Sequence, residues 1–311
     1  DLNGKPHPRQ AGTMNDQELN LLEAAYDLHV HSFPDLMSRT INDFELADKA
    51  RAAGMAGFVL KSHYFPTTER AWLVQEATPG IRVIGSLVLN HFVGGLNPLA
   101  VEATARAGGR IIFMPTSDTS NESHLLEDWD YESAALPPYL QIKKELQDAG
   151  RLPEPISLVT ADGQLSSDTR AVLEAVRDHD LVLATGHIGW SEIKELLPEA
   201  KKMGISRILV THPDSPSINL DLEQQQFCVD NGALLERCFA YLSNPEKMSR
   251  ALESVTATGA ANNILSSDLG AIGRADPVTG LEEFARLAIS ASVSMESLRQ
   301  MICSNPKELL G

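Results

Sequence analysis

Cysteine and positive charge are both scarce in this sequence of 311 residues. The three cysteines, Cys228, Cys238 and Cys303, form no Cys-x-x-Cys pair. An odd, sparse set of cysteines does not suit a disulfide framework and is typical of a reducing compartment. We therefore expect a cytoplasmic protein without structural disulfides.

Basic residues are outnumbered, with 26 Lys and Arg against 42 Asp and Glu and a net charge of -16. This balance argues against nucleic acid and anionic membranes as partners, because both are bound through positive surfaces. Apolar runs of membrane-span length and a signal-peptide core are also lacking. A small-molecule substrate is the partner that we expect.

Short apolar runs alternate with helical patterns along the chain. Eight runs predict β-strands, at 26–31, 57–61, 81–89, 110–114, 181–185, 207–211, 233–237 and 263–267. Strands separated by helices form a parallel sheet, and eight such units favour a closed barrel. The predicted fold class is therefore α/β, a (β/α)8 TIM barrel. An open doubly wound sheet is the alternative, although no Gly-x-Gly-x-x-Gly follows the first strand.

The regular alternation covers most of the chain as one domain. We expect residues 1–15, which are polar and contain Gly and Pro, to form a flexible arm before a single domain at 16–311 that begins with a helix at 16–25. Between strands four and five, residues 116–170 predict a long loop, a helix at 138–149 and a small hairpin at 156–165. Asp118, His124 and Trp129 lie in this insertion, which has the length of a lid or binding loop.

The first strand ends in His29-Val30-His31. Residues i and i+2 of a strand share a face, so both imidazoles point the same way, and imidazole is a common ligand for divalent metals. A lone His-x-His also occurs as a surface pair or as buried structural histidines. Its metal interpretation gains support because other strands also end in polar residues, namely Lys61, His63, His91, His187, His212 and Asp268. In a barrel these ends meet at one mouth.

These residues resemble the pattern of the amidohydrolase superfamily of metal-dependent hydrolases. The resemblance runs from about residue 26 to 311 and rests on His-x-His after strand one, on His187 and His212 after strands five and six, and on Asp268 after strand eight. The closing Asn305-Pro306-x-x-Leu309-Leu310 is also similar to the usual ending of that superfamily. No subfamily or substrate is identified by these motifs.

The resemblance implies a role for each residue. His29, His31 and Asp268 would bind the more buried metal, and His187 and His212 a second, more exposed one. Two zinc ions are implied, with manganese as the alternative, and a metal-bound hydroxide would be the nucleophile. Asp268 would take a proton from the water and pass it to the leaving group. A homo-oligomer is also typical of the superfamily.

The sequence departs from the superfamily pattern at strand four, where many members with two metals have a carboxylated lysine. That strand ends in Phe113-Met114-Pro115-Thr116. Lys61 on strand two is the best substitute, because a neutral amine beside metal ions can form a carbamate that bridges them. The alternative is a salt-bridged or substrate-binding lysine with one metal bound.

Three further residues are candidates for substrate binding. His63 and His91 exceed the usual ligand set and would contact substrate or line the mouth. Arg237, at the end of strand seven, has the guanidinium geometry for a substrate carboxylate, although an ion pair with Glu236 or another acid explains it equally well.

The predicted function is metal-dependent hydrolysis of a small amide, cyclic amide, lactone or ester. A decarboxylase with a single metal and a phosphoesterase or phosphotriesterase of a related barrel type are alternatives. The phosphoesterases that begin with His-x-His usually carry Asp-x-His near the end, whereas this chain has Asp268-Leu269-Gly270. A barrel that binds a metal or ligand without catalysis is a further alternative.

Overall fold

The computed structural model describes residues 20–126, 128, 138–242 and 244–311, with backbone only at 138 and 139. The predicted arm at 1–15 and Trp129 lie outside these residues. The strands are β1 (Tyr26–Val30), β2 (Gly57–Leu60), β3 (Arg82–Ile84 and Ser86–Val88), β4 (Ile111–Phe113), β5 (Val182–Ala184), β6 (Ile208–Val210), β7 (Ala233–Cys238) and β8 (Asn263–Ser266).

All pairings between neighbouring strands are parallel, and they follow chain order from β1 to β8. The circle closes where β8 meets β1. There the amide of Asp268 donates to the carbonyl of His29 (2.8 Å), and the amide of His31 donates to the carbonyl of Leu269 (2.9 Å). The TIM-barrel prediction is therefore confirmed, and the open-sheet alternative is wrong.

The third strand is interrupted at Gly85. Its first segment pairs with β2 and its second with β4. A Cβ atom at Gly85 would lie 2.6 Å from the Cα atom of Thr68, so only glycine allows the following helix to approach this closely. The interruption lets one strand serve both neighbours as the barrel curves.

Helices cover the outside of the barrel. Their bounds are α1 Asp43–Ala52, α2 Thr68–Ala77, α3 Pro98–Arg106, α4 Pro138–Asp148, α5 Ser167–Asp178, α6 Trp190–Lys202, α7 Leu222–Asp230, α8 Phe239–Leu242, α9 Pro245–Thr258, α10 Pro277–Ser290, α11 Met295–Arg299 and α12 Asn305–Leu310. Short 3-10 turns lie at His91–Val93, Ser120–Leu126 and Ala260–Asn262, and a π turn (Gln300–Ser304) joins α11 to α12. None of the helices in the described ranges has the length and apolar character that a bilayer span requires.

Apolar side chains fill the barrel and the space between the barrel and its helices. Leu28, Val59, Ile111, Val182 and Ile264 are fully buried in the interior cluster. On α6, buried Ile193, Leu196, Leu197 and Ala200 recur at helical spacing against the strands. This rigid frame holds the carboxyl ends of the strands in fixed relative positions.

The last helix closes the opposite end of the barrel. Leu309 and Leu310 join the interior cluster, and Asn305 donates to the carbonyls of Ala260 and Asn263. Arg110, just before β4, donates to the carbonyl of Leu310. The Asn-Pro-x-x-Leu-Leu ending therefore stabilises the amino end of the barrel and leaves the mouth open.

Two local expectations need correction. The helix predicted at 16–25 is a turn where it is described, because Ala24 has a positive φ of 59° and the chain enters β1 two residues later. The predicted hairpin at 156–165 is reduced to one bridge between Val159 and Leu165. The helix expected at 138–149 is present as α4.

Candidate metal centre

Three predicted ligands meet at the barrel mouth. The Oδ1 atom of Asp268 lies 3.0 Å from Nε2 of His29 and 3.1 Å from Nε2 of His31. Ligand atoms that bind a tetrahedral metal at about 2.0–2.1 Å are themselves about 3.3 Å apart. The three donors lie within 4.8 Å of one another, so their spacing suits one divalent ion.

Strained backbone places two of the candidate ligands. Asp268 has φ 50° and His212 has φ 28°, in a region that non-glycine residues rarely adopt. Two residues after Asp268, Gly270 has φ 131°. A Cβ atom on Gly270 would lie 1.8 Å from the carbonyl oxygen of His31. Such strain costs about 1–3 kcal/mol per residue and concentrates at functional sites. The loop after β8 therefore presses directly against the His-x-His segment.

A second group of donors lies beside the first. The rings of His187 and His212 are 4.7 Å apart between centroids, and the ring of His212 stacks on that of His29 at 5.9 Å. Nδ1 of His212 contacts the Ser215 hydroxyl (3.1 Å), whereas Nε2 is buried without a hydrogen-bond partner among the described residues. A buried nitrogen without a partner is costly unless it binds something, so this atom suits a metal ligand.

Glu122 completes this second group. It lies in the 3-10 turn after β4, and its Oε1 atom is 2.7 Å from Nδ1 of His187, outside hydrogen-bond alignment. Burial acts to raise the pKa of Glu122, but the charge and contact of His187 hold it below its usual range. The group therefore offers an ionised carboxylate beside the imidazole of His187, whose ring in turn contacts that of His212.

Polar neighbours orient the ligands from behind. Nδ1 of His29 lies 3.2 Å from Oε2 of Glu236, which is fully buried on β7. A carboxylate behind the ring fixes the imidazole tautomer and directs Nε2 toward the metal position. On the strand of His29 itself, Asp27 accepts hydrogen bonds from the amides of His29 and Ser267, and burial raises its pKa to about 7.

Lys61 lies within the ligand group. Its Nζ atom is 2.8 Å from Nε2 of His29 and 4.8 Å from the centre of the Phe113 ring. Burial lowers the pKa of Lys61, although Asp268 and Glu236 oppose this shift. The structure therefore places Lys61 inside the site, as the register of β2 predicts.

His63 also reaches the mouth. Its ring stacks on that of His31 at 5.1 Å, and Nδ1 contacts the Thr116 hydroxyl at 2.8 Å. Burial and the neighbouring Lys61 hold the pKa of His63 well below its usual range. A cavity of about 740 Å³ opens here, lined by His31, His63, His187 and Asp268 among others. Its volume is typical of a small-molecule site.

His91 is a correction to the predicted site. Its Nε2 atom lies 2.9 Å from the carbonyl oxygen of Glu154, and it lines a separate cavity with Tyr64 and Phe92. The 3-10 turn that starts at His91 bends the chain away at the end of β3. The structure therefore does not bring His91 into the cavity lined by His31, His63 and Asp268.

Arg237 is a second correction. The side chain is fully buried and donates to Asp214 (2.8 Å), Asn263 (2.9 Å) and Gln225 (2.8 Å). Successive residues of a strand point to opposite faces, so Glu236 faces His29 while Arg237 faces the surrounding helices. The structure places Arg237 outside the cavity and shows the ion pair with a neighbouring acid that was the alternative, with Asp214 as the acid.

Replacing Arg237 by leucine is expected to lower the free energy of unfolding by about 3–5 kcal/mol, because it removes one partner of a buried ion pair. Urea denaturation measures this loss. The exposed pair of Arg286 and Glu282 offers a control, and Arg286→Leu should change the stability by less than about 1 kcal/mol. Unchanged stability with a raised KM in Arg237→Leu would restore the substrate role.

Sequence reasoning missed Glu122, Glu236 and Arg39, which approaches Nδ1 of His31 to 3.4 Å. Glu122 and Arg39 lie on segments without a motif, and only the folded chain brings them to the mouth. Glu236 could have been recognised from the sequence. It lies on a predicted buried strand, and a buried glutamate needs a polar partner such as one of the histidines at the strand ends.

Comparison with known proteins places this site in context. The model of DUF6282, a family of unknown function, matches residues 24–236. Comparison with curated proteins finds no match. Among solved structures, an amidohydrolase from Pseudomonas aeruginosa has a TM-score of 0.61 at 11% identity, covering 94% of this chain and 97% of that one.

Two further structures have the same architecture. The probable dipeptidase PvdM from Pseudomonas aeruginosa has a TM-score of 0.59 at 14% identity, with 94% of this chain and 96% of that one covered. A probable 2-pyrone-4,6-dicarboxylic acid hydrolase from Acinetobacter baumannii has a TM-score of 0.57 at 14% identity, with 93% and 99% covered. At these identities the likeness concerns the fold, and it confirms the amidohydrolase-like barrel inferred from the sequence motifs.

Proposed function

The chain belongs to DUF6282, a family of unknown function, and we propose that it is a metal-dependent hydrolase of a small amide, cyclic amide, lactone or ester. One observation carries the proposal. The donors His29, His31 and Asp268 lie within 4.8 Å of one another at the mouth of the barrel, and His187, His212 and Glu122 lie beside them. The buried Nε2 atom of His212, which has no hydrogen-bond partner among the described residues, supports a metal-binding role for the second group.

The first group would hold the more buried metal and the second group a more exposed one. Zinc suits the mixture of imidazole and carboxylate donors, and manganese is the alternative. When bound, such ions lower the pKa of water and polarise a carbonyl oxygen. The remaining chemistry comes from the side chains of the chain itself.

Asp268 is the residue that would move a proton. Its Oδ1 atom faces His29 and His31, while Oδ2 forms no hydrogen bond among the described residues and the carboxyl group lines the cavity. Burial opposes its ionisation, but His29 and His31 hold the pKa of Asp268 well below its usual range. A carboxylate in this position can accept a proton at Oδ2 and return it to a leaving group.

The number of metals depends on what links the two groups. Lys61 as a carbamate is one candidate, because its buried amine adjoins His29. Glu122 is a second candidate, since it follows β4 and already carries a carboxylate. A single metal with an unmodified Lys61 is the alternative, and it would suit a decarboxylase or a mononuclear hydrolase.

The test is elemental analysis of protein purified without added metal, followed by a hydrolysis screen. We expect about one to two zinc or manganese ions per chain, and hydrolysis of at least one amide, ester or lactone that chelation abolishes and added metal restores. Two ions per chain would support a site in which Lys61 or Glu122 links two metals. One ion per chain would favour a decarboxylase or a mononuclear hydrolase. Protein that takes up no metal after reconstitution would refute the proposal.

A further inference from the structure

The cavity at the mouth is lined by two arginines as well as by the candidate ligands. Arg39 lies on the loop after β1 and Arg274 on the loop after β8. Among the described residues that line the cavity, these two side chains carry the permanent positive charges. Neither residue is a candidate ligand, although Nη2 of Arg39 lies 3.4 Å from Nδ1 of His31.

Arg39 is held in a fixed orientation. Its Nε and Nη2 atoms donate to Oδ2 of Asp35 at 2.9 and 2.7 Å, and both side chains are buried. Among the described residues Nη1 donates no hydrogen bond. The backbone is fixed as well, because Arg39 bridges to Ala271 and the amide of Thr40 donates to the carbonyl of Gly270. The edge formed by Nε and Nη2 is therefore used by Asp35 and adjoins His31, and Nη1 remains for a ligand.

Arg274 contributes charge without a partner acid. Nη1 donates to the carbonyl oxygen of Ala240 at 2.8 Å, and no ion pair involves this side chain within the described ranges. The charge of Arg39 is offset by Asp35, so the two arginines together supply about one net positive charge. The carboxylates of Glu122 and Asp268 line the same cavity, and in the proposed function the metal ions offset them. This total suits a carboxylate, whereas a phosphate dianion would need more compensation.

The apolar lining of the cavity supports a ligand of limited polarity, and the net charge of the chain sets the two arginines apart from the rest of the surface. Met37, Ala240, Ala271 and Ile272 supply apolar surface beside the arginines. The chain carries a net charge of -16, which repels anions at a distance. Fixed arginines in a cavity of such a protein are therefore a specific feature and not part of a general basic surface.

We propose that the substrate carries a carboxylate bound by Arg39 and Arg274, with an apolar segment between this carboxylate and the bond to be cleaved. The inference rests on the proposed function for the position of that bond at the metal-binding residues. The arginines then select substrates by charge and hold the scissile group over Asp268. Substrates without the carboxylate bind more weakly, because they lose the charge-assisted hydrogen bonds to Arg39 and Arg274.

Calorimetric titration tests this inference on the metal-loaded protein. The probes are succinate, glutarate and adipate, each compared with its uncharged diamide, and inorganic phosphate. We expect at least one dicarboxylate to bind more tightly than its diamide. Arg39→Gln should weaken that binding about 10- to 100-fold, as expected for charge-assisted hydrogen bonds. The affinity is compared at equal metal content, because Nη2 of Arg39 lies 3.4 Å from Nδ1 of His31.

Two matched variants complete the design. Arg274→Gln removes an exposed arginine with one hydrogen bond, to the carbonyl of Ala240, and circular dichroism of the variant separates a loss of dicarboxylate affinity from misfolding. Arg286→Gln removes the same charge from α10, away from the mouth, and should leave the affinity unchanged.

The outcomes separate this inference from the proposed function. No preference for any dicarboxylate over its diamide would overturn it, and so would unchanged affinity in both mouth variants or tighter binding of phosphate. If dicarboxylate binding depends on Arg39 but no amide, ester or lactone is hydrolysed, the carboxylate site stands and the proposed hydrolase function fails.

Discussion

Asp268→Asn is expected to lower kcat/KM about 100- to 10,000-fold, the range typical of a lost general acid–base group. Asparagine keeps the size of the side chain and one oxygen near His29 and His31, but it cannot accept a proton at the position of Oδ2. The fold should remain intact, because the main contacts of the carboxylate are with other residues of the site. Steady-state kinetics and circular dichroism measure the two effects.

Metal analysis of the same variant separates two causes of the loss. Retained metal with lost turnover assigns the effect to proton transfer, whereas parallel loss of both assigns it to ligation. Asp276→Asn is a matched control, because asparagine caps a helix as well as aspartate does and this residue caps α10 on the outside of the barrel. A barrel that only binds a ligand would show unchanged affinity in Asp268→Asn, and that result would refute the catalytic role.

Lys61→Ala is expected to lose bound metal and about 100- to 1,000-fold in turnover, because a second cation supplies several kcal/mol of transition-state stabilisation. Added acetate or propionate should partly restore both, since a small carboxylate can fill the space left by the lysine and replace the carbamate. Metal content and kcat, each with and without the added acid, give the measurement.

Lys61→Met provides the comparison that excludes a packing effect. Methionine fills most of the same volume beside Phe113, so no cavity forms and no rescue by carboxylic acids is expected. Its free energy of unfolding without metal should not fall, because the variant removes the cost of burying an amine. Full metal content and turnover in both variants would show that Lys61 links no metals and would leave Glu122 as the linking candidate.

Much of the site follows from where polar residues stand relative to apolar runs. A parallel barrel brings the carboxyl ends of its strands together. The sequence alone therefore predicts that His29, His31, His187, His212 and Asp268 lie close to one another. The same argument failed for His91 and Arg237. A side chain at a strand end reaches the mouth only if the strand keeps its register and the following turn does not bend away, and neither condition is visible in the pattern of apolar residues.

The sequence by itself determined the eight alternating units, the barrel and the histidines at its mouth, because strand periodicity and helix spacing are local properties of the chain. Only the tertiary structure decided which strand face points inward at β7, and so assigned Glu236 to His29 and Arg237 to Asp214. It also brought Glu122 and Arg39 to the mouth from loops without a motif. Their positions depend on contacts such as those of Asp35 and Gly270, which join segments that are distant in sequence and that no local pattern encodes.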